Sequence, residues 1–341
     1  MAVRTVKLAG TGVQTTALGF GCANLFRLPG ARQRAEVLRA AYDAGVRHYD
    51  VAPMYGLGLA ESEVGRFAGG RRAGLTIATK FGIGATPLAR GLARAQGPAR
   101  GVLEAFPALR RHAREKAAGP GSGRMGALLY TSEGYDAAGA RKSLERSLRA
   151  LRTDYVDILL LHDPDPGSVR SDDVRSYLES ARSDGLIRGW GVAGEPGPTL
   201  AVARSLPAGA PVLQVRDNIW LRSPRAAAGA SALITFGILG GVLASLLTRV
   251  TSDRERLKRW NATIGADFAD PEVAASLLLR AALLENRGGV VLFSTVRPRR
   301  IQQAAAAAQA GEPARDPSLG AFLELVAAEF AQPALPVEGA P

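Results

Sequence analysis

Along the chain, short runs of Val, Ile, Leu and Ala alternate with longer stretches in which apolar residues recur every three or four positions. The first pattern predicts a strand buried on both faces, the second an amphipathic helix. Strands are expected at TALGFG (16–21), VRHYDVA (46–52), LTIATKFG (75–82), DYVDILLLHD (154–163), IRGWGVA (187–193), PVLQVRDN (211–218), ALITFG (232–237) and GVVLFST (289–295). Helices are expected over 31–45, where Val37, Leu38, Ala41 and Tyr42 share a face, over 59–68, and over 138–151, where Leu144, Leu148 and Leu151 recur. A helix over 171–185 is given Ser171 as its N-cap and Gly185 as its stop. Others fall at about 197–206, 271–286 and 298–310.

A repeated strand–helix order with apolar strands implies a parallel sheet. Eight such units in 341 residues fit an α/β fold of the closed (β/α)8 TIM-barrel type better than an open, doubly wound sheet. The opening VRTVKLAGTGVQTTALGF reads as an N-terminal β-hairpin placed to plug the barrel floor. Its GTGVQT lacks the third glycine and the following helix of a dinucleotide fingerprint. Residues 83–135, rich in Gly, Pro, Ala and Arg, form a long insertion after the third strand, with a helical patch at GVLEAFPALRRHARE. One barrel domain is expected over 1–330, followed by a loose tail over 331–341.

Composition narrows the partners. Lys and Arg number 43 against 31 acids, a formal charge of +12, but the arginines are scattered through helices and no RNA-binding or zinc-finger pattern accompanies them. Nucleic acid is therefore not expected as a partner. A single cysteine, Cys22, excludes an internal disulfide and a Cys-only zinc site, and suits a reducing compartment. MAVRTVKLAG lacks the apolar core of a secretory leader. ASALITFGILGGVLASLL (230–247) carries three glycines, so it reads as strand, turn and helix start and not as a membrane span. A cytoplasmic protein with no membrane partner is the expectation. HDPDP (162–166) does not read as a metal site, because neighbouring strand residues point to opposite faces.

The chemistry gathers at strand ends. Asp50 closes the second strand, Tyr55 follows in its loop, Lys80 closes the third strand and His162 the fourth. Barrel strands deliver their C-terminal ends to one mouth. Each residue alone has a plain structural use: a cap, a rim contact, a solvated amine, a core histidine. Together they supply one reaction. A carbonyl that accepts hydride develops alkoxide charge and needs a proton donor. A phenol near pKa 10 is a weak donor unless its ionised form is stabilised, which an adjacent Lys80 would do, with Asp50 keeping the lysine charged. His162 would donate a further hydrogen bond to the carbonyl oxygen.

GVRHYDVAPMYGLGLAESEVGRF, IATKFG, SLERSLRALRTDYVDILLLHDPD and VVLFSTVRPRRIQQA together resemble the aldo-keto reductase superfamily, over nearly the whole chain. The resemblance implies a (β/α)8 barrel and NAD(P)H-dependent reduction of an aldehyde or ketone, sugar-like substrates included. Asp50, Tyr55, Lys80 and His162 would be its tetrad and Tyr55 its proton donor. It further implies that Gln214 contacts the nicotinamide carboxamide, that Phe236 is a platform for the ring, and that Gly237, Leu239 and Gly241 lie under the pyrophosphate. Ser294, Thr295 and Arg300 fall in the adenosine-phosphate segment, and the Arg300 fork favours NADPH over NADH. Where the family commonly shows GVSN, this chain has GVAGEPGP (191–198), which puts Ala193 and Gly194 at carboxamide-binding positions. Two alternatives stay open: a sugar or alcohol dehydrogenase working oxidatively, and a non-catalytic cofactor-sensing barrel that binds a partner.

Overall fold

In the computed structural model of the chain, residues 3–93, 128–206, 209–221, 229, 231–310 and 316–330 are described. Strands β1 (Thr5–Lys7) and β2 (Gln14–Thr16) pair antiparallel as the expected hairpin. Gly10 in its turn faces Pro211, and Thr11 lies 2.6 Å from where a Cβ on Gly189 would sit. Both partners stand at or near the N-terminal ends of barrel strands, so the hairpin covers the floor.

Eight parallel strands close the barrel: β3 (Leu18–Gly21), β4 (His48–Asp50), β5 (Thr76–Phe81), β8 (Val156–His162), β9 (Ile187–Gly194), β10 (Val212–Arg216), β11 (Ala232–Phe236) and β12 (Val290–Phe293), with β12 pairing back onto β3. Every residue of β5 and β8 is buried. Side chains on one face fill the barrel and those on the other meet the helices. This is why the sequence shows apolar runs here and no polar alternation. Between β5 and β8, β6 (Ile83–Ala85) pairs antiparallel with β7 (Tyr130–Ser132), bringing the two ends of the insertion together. The helical patch GVLEAFPALRRHARE and the tail 331–341 lie outside the described residues.

The chain also forms helices α1 (Ala31–Asp43), α2 (Ala60–Ala68), α3 (Ala137–Leu151), α4 (Ser171–Ser183), α5 (Pro196–Ser205), α6 (Gly240–Thr251), α7 (Arg254–Ile264), α8 (Pro271–Glu285), α9 (Pro298–Gln309) and α10 (Pro317–Phe330). Ser171 does not cap α4. It is the first helical residue, preceded by Arg170, and no side chain caps this end. Asp173 in that first turn instead accepts from the Ala137 N–H at 2.9 Å, joining the starts of α3 and α4.

The sequence pattern gave one helix and the start of another between β11 and β12. The chain builds three there, α6 to α8, and adds α10. Their apolar faces meet in a second cluster around Leu246, Val250, Trp260, Phe268 and Phe322, with Trp260 and Phe268 ring centroids 4.7 Å apart. Helix α7 escapes the pattern because its few apolar residues, Leu257, Trp260 and Ile264, sit among Arg, Lys and Glu. Glu329 of α10 holds that charged face, accepting from Trp260 Nε1 at 3.0 Å and from Arg259 at 2.6 Å.

The ESEVG segment of α2 is structural. Glu61 is buried and accepts from Thr79 Oγ1 of β5 at 2.7 Å. Gly65 lies where a Cβ would come within 2.6 Å of the Ala150 carbonyl and 2.7 Å of the Leu151 backbone. Helices α2 and α3 therefore touch through backbone. Gly65→Ala is expected to force them apart and to destabilise the protein by about 1–3 kcal/mol, read as a lower urea midpoint at unchanged slope.

Candidate active site

The C-terminal ends of β3, β4, β5, β8, β9, β10, β11 and β12 surround a cavity of about 460 Å³. Asp50, Tyr55, Lys80, His162, Gln214, Phe236, Gly237, Leu239 and Ser294 all line it. Asp50, Lys80 and His162 arrive on three adjacent strands, as the register of β4 on β5 and of β5 on β8 requires. Gly241, Thr295 and Arg300 do not line this cavity. Gly240 lines it at the start of α6, and Gly241 follows in the first turn of that helix. Asn24 and Met54 also line it, while Leu25 is buried in the core and Phe26 stacks under Arg34 at 4.3 Å. Trp220 belongs to the second cluster, against Phe330.

Lys80 Nζ donates to Asp50 Oδ2 at 2.6 Å and to the Val51 carbonyl at 3.2 Å, and both side chains are buried. Burial alone would lower the lysine pKa, but Asp50 and then Tyr55 outweigh it, and the net shift is upward from 10.5. Lys80 is therefore a fixed cation at neutral pH. Its ammonium lies 5.1 Å from the centre of the Tyr55 ring.

Tyr55 differs from the expectation. Burial raises its pKa more than Lys80 lowers it, and Asp50 adds to the rise, so the phenol is pushed up to about 12. Lys80 tempers the phenol without making it acidic, and Tyr55 holds its proton throughout the neutral range. Its loop is set by Gly56 and Leu57, both in left-handed conformation with φ near 58° and 54°. A Cβ on Gly56 would strike the Phe26 ring, so Gly56 is needed for that turn.

His162 stands edge-on to Tyr55, ring centroids 5.7 Å apart. Burial first, and Lys80 second, lower its pKa to about 3, so it is a neutral imidazole, able to donate a hydrogen bond without carrying charge. Its backbone carbonyl accepts from the Tyr135 phenol at 2.5 Å, which ties the end of the insertion to the end of β8.

Several residues entered the cavity without notice in the sequence: Asp163, Glu195 and Arg216. The alternation rule sends Asp163 away from the face of His162. A left-handed backbone, φ 45°, turns it back instead. Arg216 Nε donates to Glu195 at 2.7 Å, and its guanidinium lies 5.2 Å from the Phe236 ring centre. Burial and Glu195 raise the pKa of Asp163, while Lys80 and Arg216 draw it down. Among the described residues no group of His, Cys, Asp or Glu is placed to hold a metal ion, and no helix is long and apolar enough to cross a membrane.

The lining also suits a nicotinamide dinucleotide. Gln214 Oε1 is buried without a hydrogen-bond partner. Helix α6, twelve residues long, begins at the cavity with Gly240 and Gly241, whose Cα atoms face open space. Free N–H groups at such a helix start suit a pyrophosphate. Ser294 bonds Asn24 at 3.2 Å on the rim, and Thr295 Oγ1 accepts from the Arg297 N–H at 3.2 Å as α9 begins. Arg297 and Arg300 are exposed there, and Arg299 pairs with Glu272 at 3.1 Å. A second cavity, about 480 Å³, lies against α8 and α10 and holds none of the four strand-end residues.

Residues 17–230 match the model of the Aldo/keto reductase family. The chain is 30% identical over 190 residues to the D-threo-aldose 1-dehydrogenase of Pseudomonas sp, covering 54% of this chain and 51% of that protein. It is 28% identical over 196 residues to the L-galactose dehydrogenase of Arabidopsis thaliana, covering 55% and 48%. The chain thus spans about half the length of the curated relatives it matches. A crystal structure of an aldo-keto reductase from Klebsiella pneumoniae in complex with NADPH superposes over all of both chains, with a TM-score of 0.66 at 20% identity. That likeness is one of fold.

Proposed function

The chain belongs to the aldo/keto reductase family, and on that premise we propose that its barrel mouth interconverts a carbonyl and an alcohol by hydride exchange with a nicotinamide cofactor. One observation carries the reading: a buried Asp50–Lys80 pair beside a protonated Tyr55 and a neutral His162, all in one cavity. The bound cofactor would supply the hydride. Tyr55 would give its proton to the oxygen of the substrate, His162 would hold that oxygen by a hydrogen bond, and Lys80 would offset the charge left on the phenol. A phenol that keeps its proton to about pH 12 favours reduction at neutral pH.

The oxidative direction has its own support, since the matched relatives bear the names of sugar dehydrogenases. There Tyr55 must first lose its proton, so oxidation is expected to rise with pH while reduction stays flat over pH 6–9. Initial rates in both directions on an aldose and its lactone-level or alcohol counterpart decide between the two.

For the cofactor we favour NADPH. Arg297 and Arg300 crowd the exposed start of α9, where a 2′-phosphate gains from the arginine fork and the helix N-terminus together. Fluorescence titration is expected to give micromolar NADPH binding, weaker NADH binding, and a loss of about tenfold for NADPH in Arg300→Ala. Equal loss for both nucleotides would place the 2′-phosphate elsewhere. The substrate is a small carbonyl or alcohol compound, and cytoplasmic residence is part of the same proposal.

A further inference from the structure

The residue after His162 and the end of β9 are built around one another. Asp163 adopts its left-handed backbone, an uncommon state for a residue with a side chain, though Asp tolerates it better than most. That turn brings the carboxylate over the cavity. Gly194 makes the room: a Cβ there would overlap Asp163 Oδ1 and lie 3.0 Å from Thr199 Oγ1. The Asp163 backbone is tied to the same strand end, its N–H donating to the Ala193 carbonyl at 2.7 Å. The space that a side chain at 194 would use is thus taken by Asp163, reaching across from the next strand.

On the other side of Ala193, Gln214 of β10 lines the same cavity with a buried, unpartnered Oε1. A buried acceptor without a partner costs free energy unless a ligand supplies a donor. Two acceptors, one ionisable, therefore face one cavity from either side of Ala193, and Ala193 and Gly194 offer no side-chain hydrogen-bonding group. A primary carboxamide presents two N–H donors, which two such acceptors can satisfy.

We propose that Asp163 recognises the nicotinamide carboxamide, its carboxylate accepting an amide N–H beside Gln214, in the place that Ala193 and Gly194 leave without a polar side chain. This rests on the nicotinamide reading above. A second consequence follows from charge. The ring is cationic when oxidised and neutral when reduced, so a carboxylate at this place favours the oxidised cofactor. Lys80 and Arg216 oppose that field and Glu195 reinforces it.

The test uses the full chain and three nucleotides: NADP⁺, NADPH, and the 3-acetylpyridine analogue of NADP⁺, in which a methyl group replaces the amide NH₂. Dissociation constants are measured for wild type, Asp163→Ala and Asp163→Asn. Wild type is expected to bind NADP⁺ about tenfold more tightly than the analogue, the worth of one charge-assisted hydrogen bond. Asp163→Ala is expected to reduce that ratio to about twofold or less. Asp163→Asn keeps a neutral acceptor, so it should retain part of the analogue discrimination while the preference for NADP⁺ over NADPH falls several-fold. A merely structural Asp163 would weaken all three nucleotides alike. An unchanged analogue ratio in Asp163→Ala overturns the assignment. Should that variant fail to fold, an unchanged NADP⁺/NADPH ratio in the near-isosteric Asp163→Asn overturns it. If wild type binds none of the three, the cofactor reading itself fails, a result distinct from any pattern among the variants.

Discussion

Tyr55→Phe is expected to lower kcat for carbonyl reduction by about two to four orders of magnitude, the usual contribution of a positioned proton donor. NADPH affinity should hold within about twofold, because in the proposed reaction the phenol oxygen meets the substrate and not the nucleotide. Phenylalanine keeps the ring that faces His162 and Lys80, so the loss reports the hydroxyl alone. The pH profile provides a second readout. With Tyr55 protonated up to about 12 and His162 neutral down to about 3, neither group changes state between pH 6 and 9. Wild-type reduction should be level across that window, at the saturating cofactor concentration set by titration. A Tyr55→Phe enzyme that works within threefold of wild type would end the proton-donor role, and with it the tetrad reading.

Lys80→Met should damage both stability and turnover. The pair with Asp50 is sealed at the barrel centre. Removing the ammonium strands a carboxylate there, at a cost of about 3–5 kcal/mol. Turnover should fall at least about a hundredfold, since the phenol loses the cation that offsets its developing charge. The double variant Asp50→Asn, Lys80→Met removes both charges. It is expected to recover most of the stability and none of the activity, which separates the two roles. The sign of the pH dependence follows from the raised lysine pKa. The contribution of the pair is complete below the ordinary value of 10.5 and is lost only as pH rises through the higher folded value. The stability difference between wild type and the Asp50→Asn, Lys80→Met double variant, which carries no stranded charge, should therefore be constant from pH 6 to 9 when read from urea midpoints. A difference that changes within this range, or a Lys80→Met variant as stable as wild type, would contradict the buried pair.

Much of this was legible before any coordinate. Seven of the eight barrel strands fall within the runs named from the sequence and β9 exceeds its run only by Gly194, because a strand covered on both faces must be apolar throughout, and that requirement is local. Asp50, Lys80 and His162 stood out as polar residues at the ends of such runs, each with a plain use alone but with one chemistry together. What the pattern could not give was anything made by distant parts of the chain. Helix α7 becomes a helix with a buried face only because α10, seventy residues on, brings Phe322, Phe330 and Glu329 to meet it. The Tyr55 pKa depends on how deeply the barrel buries the phenol, a quantity no spacing encodes. Asp163 was hidden by the alternation rule itself, since a single left-handed residue reverses the direction of a side chain and leaves no periodic trace. The amino-acid order by itself determined the strands, their sequence and the four polar groups at their ends, because those follow from nearest-neighbour chemistry. Only the closed barrel decided which charges are buried together, which side chains share the mouth, and how strongly each holds its proton, because burial and distance are properties of the packed chain.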